Sequence, residues 1–286
     1  MIEKIFIPTV NRPDNQITYN NLPEELKKRV VFVIQAWERE KYTYDSEYLV
    51  LPDTPEYHFS DYYCLPKTRK LIYQQGRGMK YAVLDDDLQF GRRNAKYIGG
   101  EDNMEMSKRK ATEEDVLEMF NLYDAWLDES SVTVCGCSHV ENPPGNKPYR
   151  NNASLGSALW INGSDFSEHL DNWELTDVRV MEDTNFLLTL LTNGYGNRVS
   201  EEFVFYNNSV LKKKEIPSTV WDTQTFEQTH KDHKIVEQRF PGIFTILYDE
   251  NGDRVKGGFR DYGKVKVQWS KAFKQSQVSN LEDLFQ

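Results

Sequence analysis

One stretch of the sequence, residues 80–90 (KYAVLDDDLQF), constrains the fold more than any other. Its apolar run at 81–84 is typical of a strand that is covered on both faces in a parallel or mixed α/β sheet. Three aspartates follow the run directly, Asp85, Asp86 and Asp87. Because side chains alternate along a strand, Asp85 and Asp87 are expected to leave on the same side. Ligands of open α/β sheets bind at the carboxyl ends of strands, so this position predicts a site.

Two carboxylates on one side of a strand end repel one another unless a cation lies between them. Mg²⁺ or Mn²⁺ fits such a position, because hard divalent ions prefer oxygen ligands and also hold phosphate oxygens. We therefore predict Asp85 and Asp87 as metal ligands, and Asp85 and Asp86 as part of a diphosphate-binding site. The alternative is a solvated acidic turn that follows a buried strand.

The segments around this stretch alternate between strand and helix. Predicted strands cover residues 2–10, 30–34, 48–51, 132–137, 157–162 and 202–206, and predicted helices cover 22–29, 35–41, 62–75 and 112–127. The alternation predicts an α/β fold with a single mixed sheet flanked by helices. Residues 91–110 are polar and charged, which favours a mobile loop beside the site.

The composition indicates a globular protein of a reducing compartment. The chain has 286 residues and a formal charge of −10, which argues against broad wrapping of DNA but leaves room for a local basic surface. Its three cysteines build neither a disulfide framework nor a zinc site, so we expect a cytoplasmic location. The sequence has no signal-like start and no run of the about 18 apolar residues that a membrane span needs, so we expect no membrane association.

Basic and polar residues stand close to the aspartates along the chain. Thr9, Asn11 and Arg12 follow the first predicted strand, where a polar turn with arginine can hold a nucleotide base or phosphate, or can be an ordinary strand exit. The helix that precedes the aspartates carries Lys67 and Arg69. Basic residues so close to an acidic strand end suit a diphosphate with a metal ion. The alternative is a solvated helix face.

A second acidic motif opens a later helix. Glu182 and Asp183 stand before an apolar helical pattern that ends at Asn193-Gly194. Acids stabilise the positive end of a helix dipole, so simple capping is one interpretation. The other is a carboxylate base for an incoming hydroxyl group. Further on, His230 and His233 either complete a metal site or lie on the surface.

The C-terminal part combines strand signals with positive charge. Residues 243–268 predict a β-hairpin with its turn at 250–253, and the tail after residue 275 is expected to be loose. Aromatic residues alternate with basic ones here, a composition that suits nucleic acid. We predict DNA contacts near Arg254, Lys256, Arg260, Lys264 and Lys266. The alternative is an exposed hairpin with alternating charge.

Three motifs together resemble GT-A-type nucleotide-sugar glycosyltransferases, and more narrowly the TET/JBP-associated glycosyltransferases of bacteriophages. They are IFIPTVNRP at 5–13, GRGMKYAVLDDD at 76–87 and EDTNFLLTLLTNG at 182–194. The resemblance implies a single GT-A-like (Rossmann-like) mixed sheet at residues 1–240, with the basic hairpin and tail at 241–286 packed on the same domain. It also implies transfer of a sugar from a UDP-sugar, with Mn²⁺ or Mg²⁺, to 5-hydroxymethylcytosine or 5-hydroxymethyluracil in phage DNA.

The resemblance also gives the motif residues their roles. Asp85 and Asp87 match the D-x-D of the family, with Asp86 beside them. The nucleotide-facing first loop corresponds to Thr9, Asn11 and Arg12, and the catalytic acid pair corresponds to Glu182 and Asp183. A late histidine often supplies the third metal ligand of GT-A enzymes, which makes His230 and His233 candidates.

Three other functions share parts of this pattern. A GT-A transferase that acts on a protein or polysaccharide suits the charge of −10. A metal-dependent phosphotransferase or nucleotidyltransferase also uses paired aspartates, but it transfers a phosphoryl group or releases pyrophosphate. A non-catalytic binding protein would keep full function in an Asp85→Asn, Asp87→Asn variant.

Overall fold

The computed structural model describes residues 1–93, 108–145, 147–207, 225–255 and 263–284. Within these ranges, ten strands form one mixed sheet and two short strands form a separate antiparallel pair. The ten strands are β1 (Lys4–Pro8), β2 (Val30–Ile34), β3 (Glu47–Val50), β4 (Lys80–Leu84), β5 (Leu88–Arg93), β6 (Lys108–Lys110), β7 (Val134–His139), β8 (Tyr149–Asn151), β9 (Ala158–Asn162) and β10 (Asn197–Asn207). The separate pair is β11 (Phe244–Ile246) and β12 (Val265–Val267).

The large sheet has the strand order β3-β2-β1-β4-β9-β7-β10-β5-β6, with β8 paired to β10. The four strands β3, β2, β1 and β4 are parallel, and β9 runs antiparallel to both β4 and β7. Strand β10 is parallel to β7 and antiparallel to β5 and β8, and β6 is antiparallel to β5. The sheet is therefore mixed, as predicted.

Helices lie against both faces of this sheet. The described α-helices are α1 (Ile17–Asn21), α2 (Glu24–Lys27), α3 (Cys64–Gln75), α4 (Glu113–Trp126), α5 (Glu182–Thr192), α6 (Phe226–Arg239) and α7 (Trp269–Leu284), with short 3-10 helices at Ala36–Lys41, Pro55–Tyr57 and Leu170–Asn172. Strand β4 shows why both faces are apolar: Ala82 and Leu84 pack in the core that includes α4, whereas Tyr81 and Val83 pack in the core that includes α3 and α5. The α/β class with a mixed sheet between helices is confirmed. None of the described helices is long and apolar enough to cross a membrane.

The predicted loop at residues 91–110 is wrong at both ends. Its first residues belong to β5 and its last to β6, and Gly91 lies opposite Lys110 in this pair, while residues 94–107 lie outside the described residues. The polar composition concealed the strands because their charges are paired. Arg92 of β5, for example, contacts the carboxylates of Asp115 and Glu118 of α4.

The C-terminal segment packs on α5. Residues of β11 and α7, among them Phe244 and Ala272, share one apolar cluster with Leu188 and Leu191 of α5. Residues 256–262 lie outside the described residues, so the hairpin as a whole stays a prediction. The expected loose tail is wrong, because α7 continues to residue 284. Among residues 269–277, whose burial is described, the buried positions Ala272 and Ser276 are four residues apart, which is the spacing of one helix face.

A buried ion pair joins β5 and β10, and it predicts a large loss of stability on mutation. The side chains of Arg93 and Glu201 are fully buried, and Arg93 Nη1 lies 3.1 Å from Glu201 Oε2. We expect Glu201→Ala to lower the free energy of unfolding by about 3 kcal/mol, because it removes the buried carboxylate that pairs with the buried Arg93 guanidinium. Urea denaturation measures the change.

The neighbouring residue on β10 supplies a matched control for this prediction. Glu202 accepts a hydrogen bond from Arg92 Nε (2.9 Å) in a partly exposed network. We expect Glu202→Gln to change the free energy of unfolding by less than about 1 kcal/mol. Equal small losses in the two variants would show that the buried pair does not stabilise the sheet.

Candidate functional site

The three aspartates form the connection between β4 and β5, which we call the aspartate turn (residues 85–87). Thr18 of α1 fixes its backbone, since the Thr18 amide donates to the carbonyl of Asp86 (3.1 Å) and the hydroxyl donates to the carbonyl of Asp85. The same hydroxyl accepts from the Leu88 amide (2.8 Å). Because β1 and β4 are adjacent and parallel, the aspartate turn lies beside the end of β1, at the edge where ligands of α/β sheets bind.

The three aspartates contact two different arginines. Asp85 forms an ion pair with Arg69 of α3. Arg12 pairs with Asp86 and lies 3.9 Å from Asp87. Strand β4 ends one residue before the turn, so the alternation that grouped Asp85 with Asp87 does not extend into it. The two guanidinium groups therefore hold two different parts of the turn.

Asp86 is the most constrained of the three. Its carboxylate is buried, accepts a hydrogen bond from the Thr9 hydroxyl (2.6 Å) and pairs with Arg12. Burial raises the pKa of Asp86 to about 7, with the Arg12 charge and the Thr9 hydrogen bond acting in the opposite direction. Asp86 thus ties the aspartate turn to the loop after β1.

The loop after β1 is fixed in an unusual backbone conformation. Asn11 has a φ of 58°, in the left-handed region that asparagine tolerates better than most residues. Its amide donates to Glu38 Oε2 (2.8 Å), and the buried Gln16 side chain donates to the Thr9 hydroxyl (2.9 Å) and the Arg12 carbonyl (2.8 Å). The predicted residues Thr9, Asn11 and Arg12 are thus held together at the aspartate turn. Glu38 and Gln16 were not predicted from the sequence.

The two basic residues predicted on α3 have different surroundings. Arg69 is buried and contacts Asp85, as a site residue should. Lys67 forms an ion pair with Asp61 instead (3.3 Å) and donates to the carbonyl of Glu56. Residues two positions apart on an α-helix point in directions about 200° apart, so Lys67 and Arg69 face different sides of α3.

The second acidic motif lies near the first. Glu182 and Asp183 begin α5, and Met181 before them has a φ of 73°, a strained value for a residue with a side chain. Burial raises the pKa of both carboxyl groups, and the negative charge of Asp85 adds to this, while Arg69 opposes it. The Thr184 amide donates to Asp183 Oδ1 (2.6 Å). The pair thus lies in the first turn of α5 and is part of the charge network at Asp85.

A loop before β9 connects the two acidic motifs. A Cβ atom built on Gly156 would lie 2.8 Å from Asp183 Oδ2, so a larger residue at this position would displace this carboxylate. The next residue, Ser157, accepts a hydrogen bond from the Asp85 amide through its carbonyl (2.8 Å) and has a φ of 44°. This loop was not predicted as part of the site, although Gly156 directly precedes the strand predicted at 157–162.

The charge balance of the site fits a cation. Among the described residues, the three carboxylates of the aspartate turn form ion pairs with two guanidinium groups, those of Arg12 and Arg69. No group of three or more His, Cys, Asp or Glu side chains that could hold a metal ion occurs within the described ranges. Mg²⁺ is usually bound through one or two carboxylates together with substrate phosphates, so the oxygen donors of Asp85 and Asp87 fit such an ion.

The two predicted histidines lie on α6. His233 is buried, and its Nδ1 lies 2.6 Å from Arg254 Nη2. Burial, together with the charge of Arg254, lowers the pKa of His233 to about 4, so its imidazole is neutral at pH 7. The His230 ring stacks on Phe226, with 6.3 Å between ring centroids. Their contacts are thus with Arg254 and Phe226, and their role as the third metal ligand stays a prediction.

The predicted DNA contacts fall into three groups. Lys264 and Lys266 are exposed beside and on β12. Arg254 is half-buried, bonded to His233 and placed over the Phe226 ring at 5.2 Å from its centroid. Lys256 and Arg260 lie outside the described residues. Of the five predicted residues, Lys264 and Lys266 are therefore the ones that the described part of the chain shows to be exposed.

Comparison with known proteins adds no assignment to this geometry. No protein-family model matches the sequence, and no curated protein matches it. The functional conclusion rests on the chemistry of the site.

Proposed function

We propose that this protein is a metal-dependent glycosyltransferase that moves a sugar from a UDP-sugar to the hydroxymethyl group of a modified pyrimidine in DNA. One observation carries the proposal: the loop after β1, the aspartate turn and the Glu182–Asp183 pair meet at one edge of the sheet. These are the three motifs on which the resemblance to GT-A-type enzymes rests. The parallel run β3-β2-β1-β4 followed by antiparallel β9 is compatible with a GT-A-like sheet.

The first loop and the aspartate turn suit the donor. Asp85 and Asp87 would hold Mn²⁺ or Mg²⁺, which neutralises the charge that develops on the leaving UDP. The guanidinium groups of Arg12 and Arg69 stand at the same turn and are suited to phosphate oxygens. Thr9 and Asn11, held by Asp86 and Glu38, would face the nucleoside.

The acid pair suits the acceptor. A general base works best when its pKa lies near the operating pH, and the raised pKa values of Glu182 and Asp183 bring both carboxyl groups closer to neutrality. Either carboxylate would accept the proton of the hydroxymethyl group as its oxygen attacks the anomeric carbon. Attack from the face opposite UDP inverts the configuration, and a retaining route uses the other face.

The acceptor base would have to leave a DNA duplex, at a cost on the order of a few kcal/mol. Contacts between phosphates and Lys264 and Lys266 would offset this cost. The second candidate is a GT-A transferase that acts on a protein or polysaccharide. Two observations favour it: the charge of −10, and the contact of Arg254 with His233, which occupies one of the predicted DNA-binding residues.

Mass spectrometry of nucleosides tests the proposal. The protein is incubated with Mn²⁺, a panel of UDP-sugars, and DNA that contains 5-hydroxymethylcytosine, 5-hydroxymethyluracil or neither. We expect a hexose or pentose mass on one hydroxymethylated base and none on unmodified DNA. Metal-dependent release of UDP without transfer to DNA would favour the second candidate. Release of sugar 1-phosphate, the leaving group when UMP is transferred from a UDP-sugar, would indicate a nucleotidyltransferase. No release of UDP from any donor would refute the glycosyltransferase assignment.

The two exposed lysines give a prediction for DNA binding. We expect Lys264→Glu with Lys266→Glu to weaken DNA binding at least about tenfold and to lower the slope of log K against log salt by about 2, because each lost phosphate contact removes about one released counterion. Titrations at several salt concentrations measure both values. The control, Lys28→Glu with Lys41→Glu, changes the charge equally at exposed lysines elsewhere. An equal effect in both double variants would remove β12 from the interface.

A further inference from the structure

Helix α6 holds the segment that leads into Glu182 and Asp183. Asp232 of α6 is fully buried, and its Oδ2 accepts hydrogen bonds from two successive backbone amides, those of Arg179 (3.0 Å) and Val180 (2.9 Å). A third donor to the same oxygen is the Tyr62 hydroxyl (3.0 Å). One carboxylate oxygen therefore fixes the chain two and three residues before Glu182.

A second contact of α6 holds the same segment. Arg239, at the end of α6, donates to the carbonyl of Glu174 (2.8 Å) and to Asn185 Oδ1 (2.7 Å), and it pairs with Asp177 (2.7 Å). Asn185 belongs to the first turn of α5. The segment is thus attached to α6 on both sides of the acid pair, by Asp232 before it and by Arg239 after it.

The backbone between these contacts is strained. Met181, the N-cap of α5, has a φ of 73°, which a residue with a Cβ atom adopts only when its surroundings impose it. The two amides that Asp232 binds belong to the two residues directly before Met181. These hydrogen bonds therefore act where the chain needs to be fixed if Glu182 and Asp183 are to keep their direction.

The three hydrogen bonds to Asp232 Oδ2 are called the clamp below. Its contact with Tyr62 links it to the part of the site that is proposed to bind the UDP-sugar. Tyr62 stands just before α3, whose Arg69 pairs with Asp85. Its ring lies under the Arg179 guanidinium, 4.7 Å from ring centroid to guanidinium carbon. Burial, together with the charge of Asp232, raises the pKa of Tyr62, so its hydroxyl stays a proton donor.

We propose that Asp232 is a positioning residue that, through the backbone of Arg179 and Val180, holds Glu182 and Asp183 in the geometry required for proton transfer. The inference rests on the proposed function for its kinetic consequence, but the positioning is measurable without a substrate. All three hydrogen bonds go to Oδ2, and Asp232 Oδ1 has no hydrogen-bond partner in the described part of the chain, so one acceptor oxygen at the position of Oδ2 is enough for the clamp. Asp232→Asn keeps such an acceptor oxygen, whereas Asp232→Ala removes it.

The first test uses the free protein. In Asp232→Ala, hydrogen exchange of the Arg179 and Val180 amides is expected to speed up about tenfold to a hundredfold, because bonds to a charged group are lost. The side-chain carboxyl ¹³C signals of Glu182 and Asp183 are expected to shift with it. Asp232→Asn is expected to keep exchange and shifts near those of the wild type. Unchanged exchange and shifts in Asp232→Ala would overturn the proposal, whatever reaction the protein catalyses.

The second test measures turnover with the donor and acceptor identified by the nucleoside assay. Asp232→Ala is expected to lower kcat about thirtyfold with the KM for the UDP-sugar unchanged. A misplaced base stabilises the transition state less but does not change binding of the UDP-sugar. Glu201→Ala also removes a fully buried carboxylate, one whose ion pairs are with Arg93 and Arg150, and it is expected to keep kcat below its melting temperature. Equal kcat losses in both variants would mean a merely structural role for Asp232. If the wild type transfers no sugar, the proposed function fails, and the exchange experiment alone decides the positioning.

A milder variant covers the case in which Asp232→Ala does not fold. Tyr62→Phe removes one of the three donors to Asp232 and keeps the ring beneath Arg179. It is expected to speed amide exchange at Arg179 and Val180 by a smaller factor, about threefold, in the same direction. Wild-type exchange at both amides in Tyr62→Phe would count against the clamp.

Discussion

Asp87→Asn is expected to lower metal-dependent release of UDP by about a thousandfold while the fold stays intact. A divalent ion that stabilises the charge on a leaving diphosphate contributes several kcal/mol to the barrier, and each 1.36 kcal/mol changes the rate tenfold, so loss of one of two ligands produces an effect of this order. Asparagine keeps the shape of Asp87 but removes its charge. Turnover with Mn²⁺ and a Mn²⁺ titration followed by electron paramagnetic resonance measure the two consequences, and both are expected to be impaired.

Two variants serve as comparisons for this prediction. Asp171→Asn removes an exposed carboxylate that pairs with Arg77, far along the chain from the aspartate turn, and it should leave turnover and Mn²⁺ affinity unchanged. Asp86→Asn is expected to act differently from Asp87→Asn, because Asp86 is buried between Thr9 and Arg12 and holds the loop after β1. Its main effect should be a higher KM for the UDP-sugar. Normal turnover of Asp87→Asn would remove the metal from the mechanism.

The sequence predicted the sheet and the acidic motifs because their signals are local. The apolar run of β4 is uninterrupted, and its successive residues Tyr81 and Ala82 pack into different cores on the two faces of the sheet. The helix predicted at 112–127 was equally readable, and α4 begins there, with the Asp115 amide donating to the Thr112 hydroxyl (3.2 Å). Such features depend on residues three or four apart.

The parts that were not predicted depend on contacts between distant residues. Nothing local to Gly156 indicates that Asp183 will occupy the space where a Cβ atom would stand. Similarly, Glu38 is fully buried because it accepts a hydrogen bond from the strained Asn11 backbone, 27 positions away. A buried acid in a polar segment carries no periodic signal, so only the fold reveals its partner.

One error had a signal in the sequence. The tail after residue 275 was expected to be loose, yet the helical spacing of Trp269, Ala272, Phe273 and Ser276 continues into it, and all four residues belong to α7. That Asp85 and Asp87 lie on one side stays a prediction, because β4 ends at Leu84, before both residues. Periodicity predicts orientation only within an element, and functional turns begin where the element ends.

The acid pair gives the second large effect. We expect Asp183→Asn to lower kcat about a hundredfold to ten-thousandfold with UDP binding unchanged, which is the range for loss of a general base. Glu182→Gln, measured separately, identifies the base as the residue with the larger loss. Gly156→Ala provides a variant that keeps both charges, since its new Cβ atom would meet Asp183 Oδ2 at 2.8 Å and displace it.

Stability provides an opposite readout for the same variants. The pKa of both carboxyl groups is raised in the folded protein by burial and by neighbouring negative charge, so the folded state binds their protons more tightly than the unfolded state does. Wild-type stability should therefore fall as the pH rises above the ordinary carboxyl range near 4, through the raised pKa values. Asp183→Asn and Glu182→Gln should both unfold at higher urea concentrations than the wild type at pH 8, with the difference vanishing near pH 4. Loss of turnover combined with a gain in stability is expected of a catalytic pair that is held together against its own repulsion. Normal turnover with lower stability would instead return Glu182 and Asp183 to the role of helix caps.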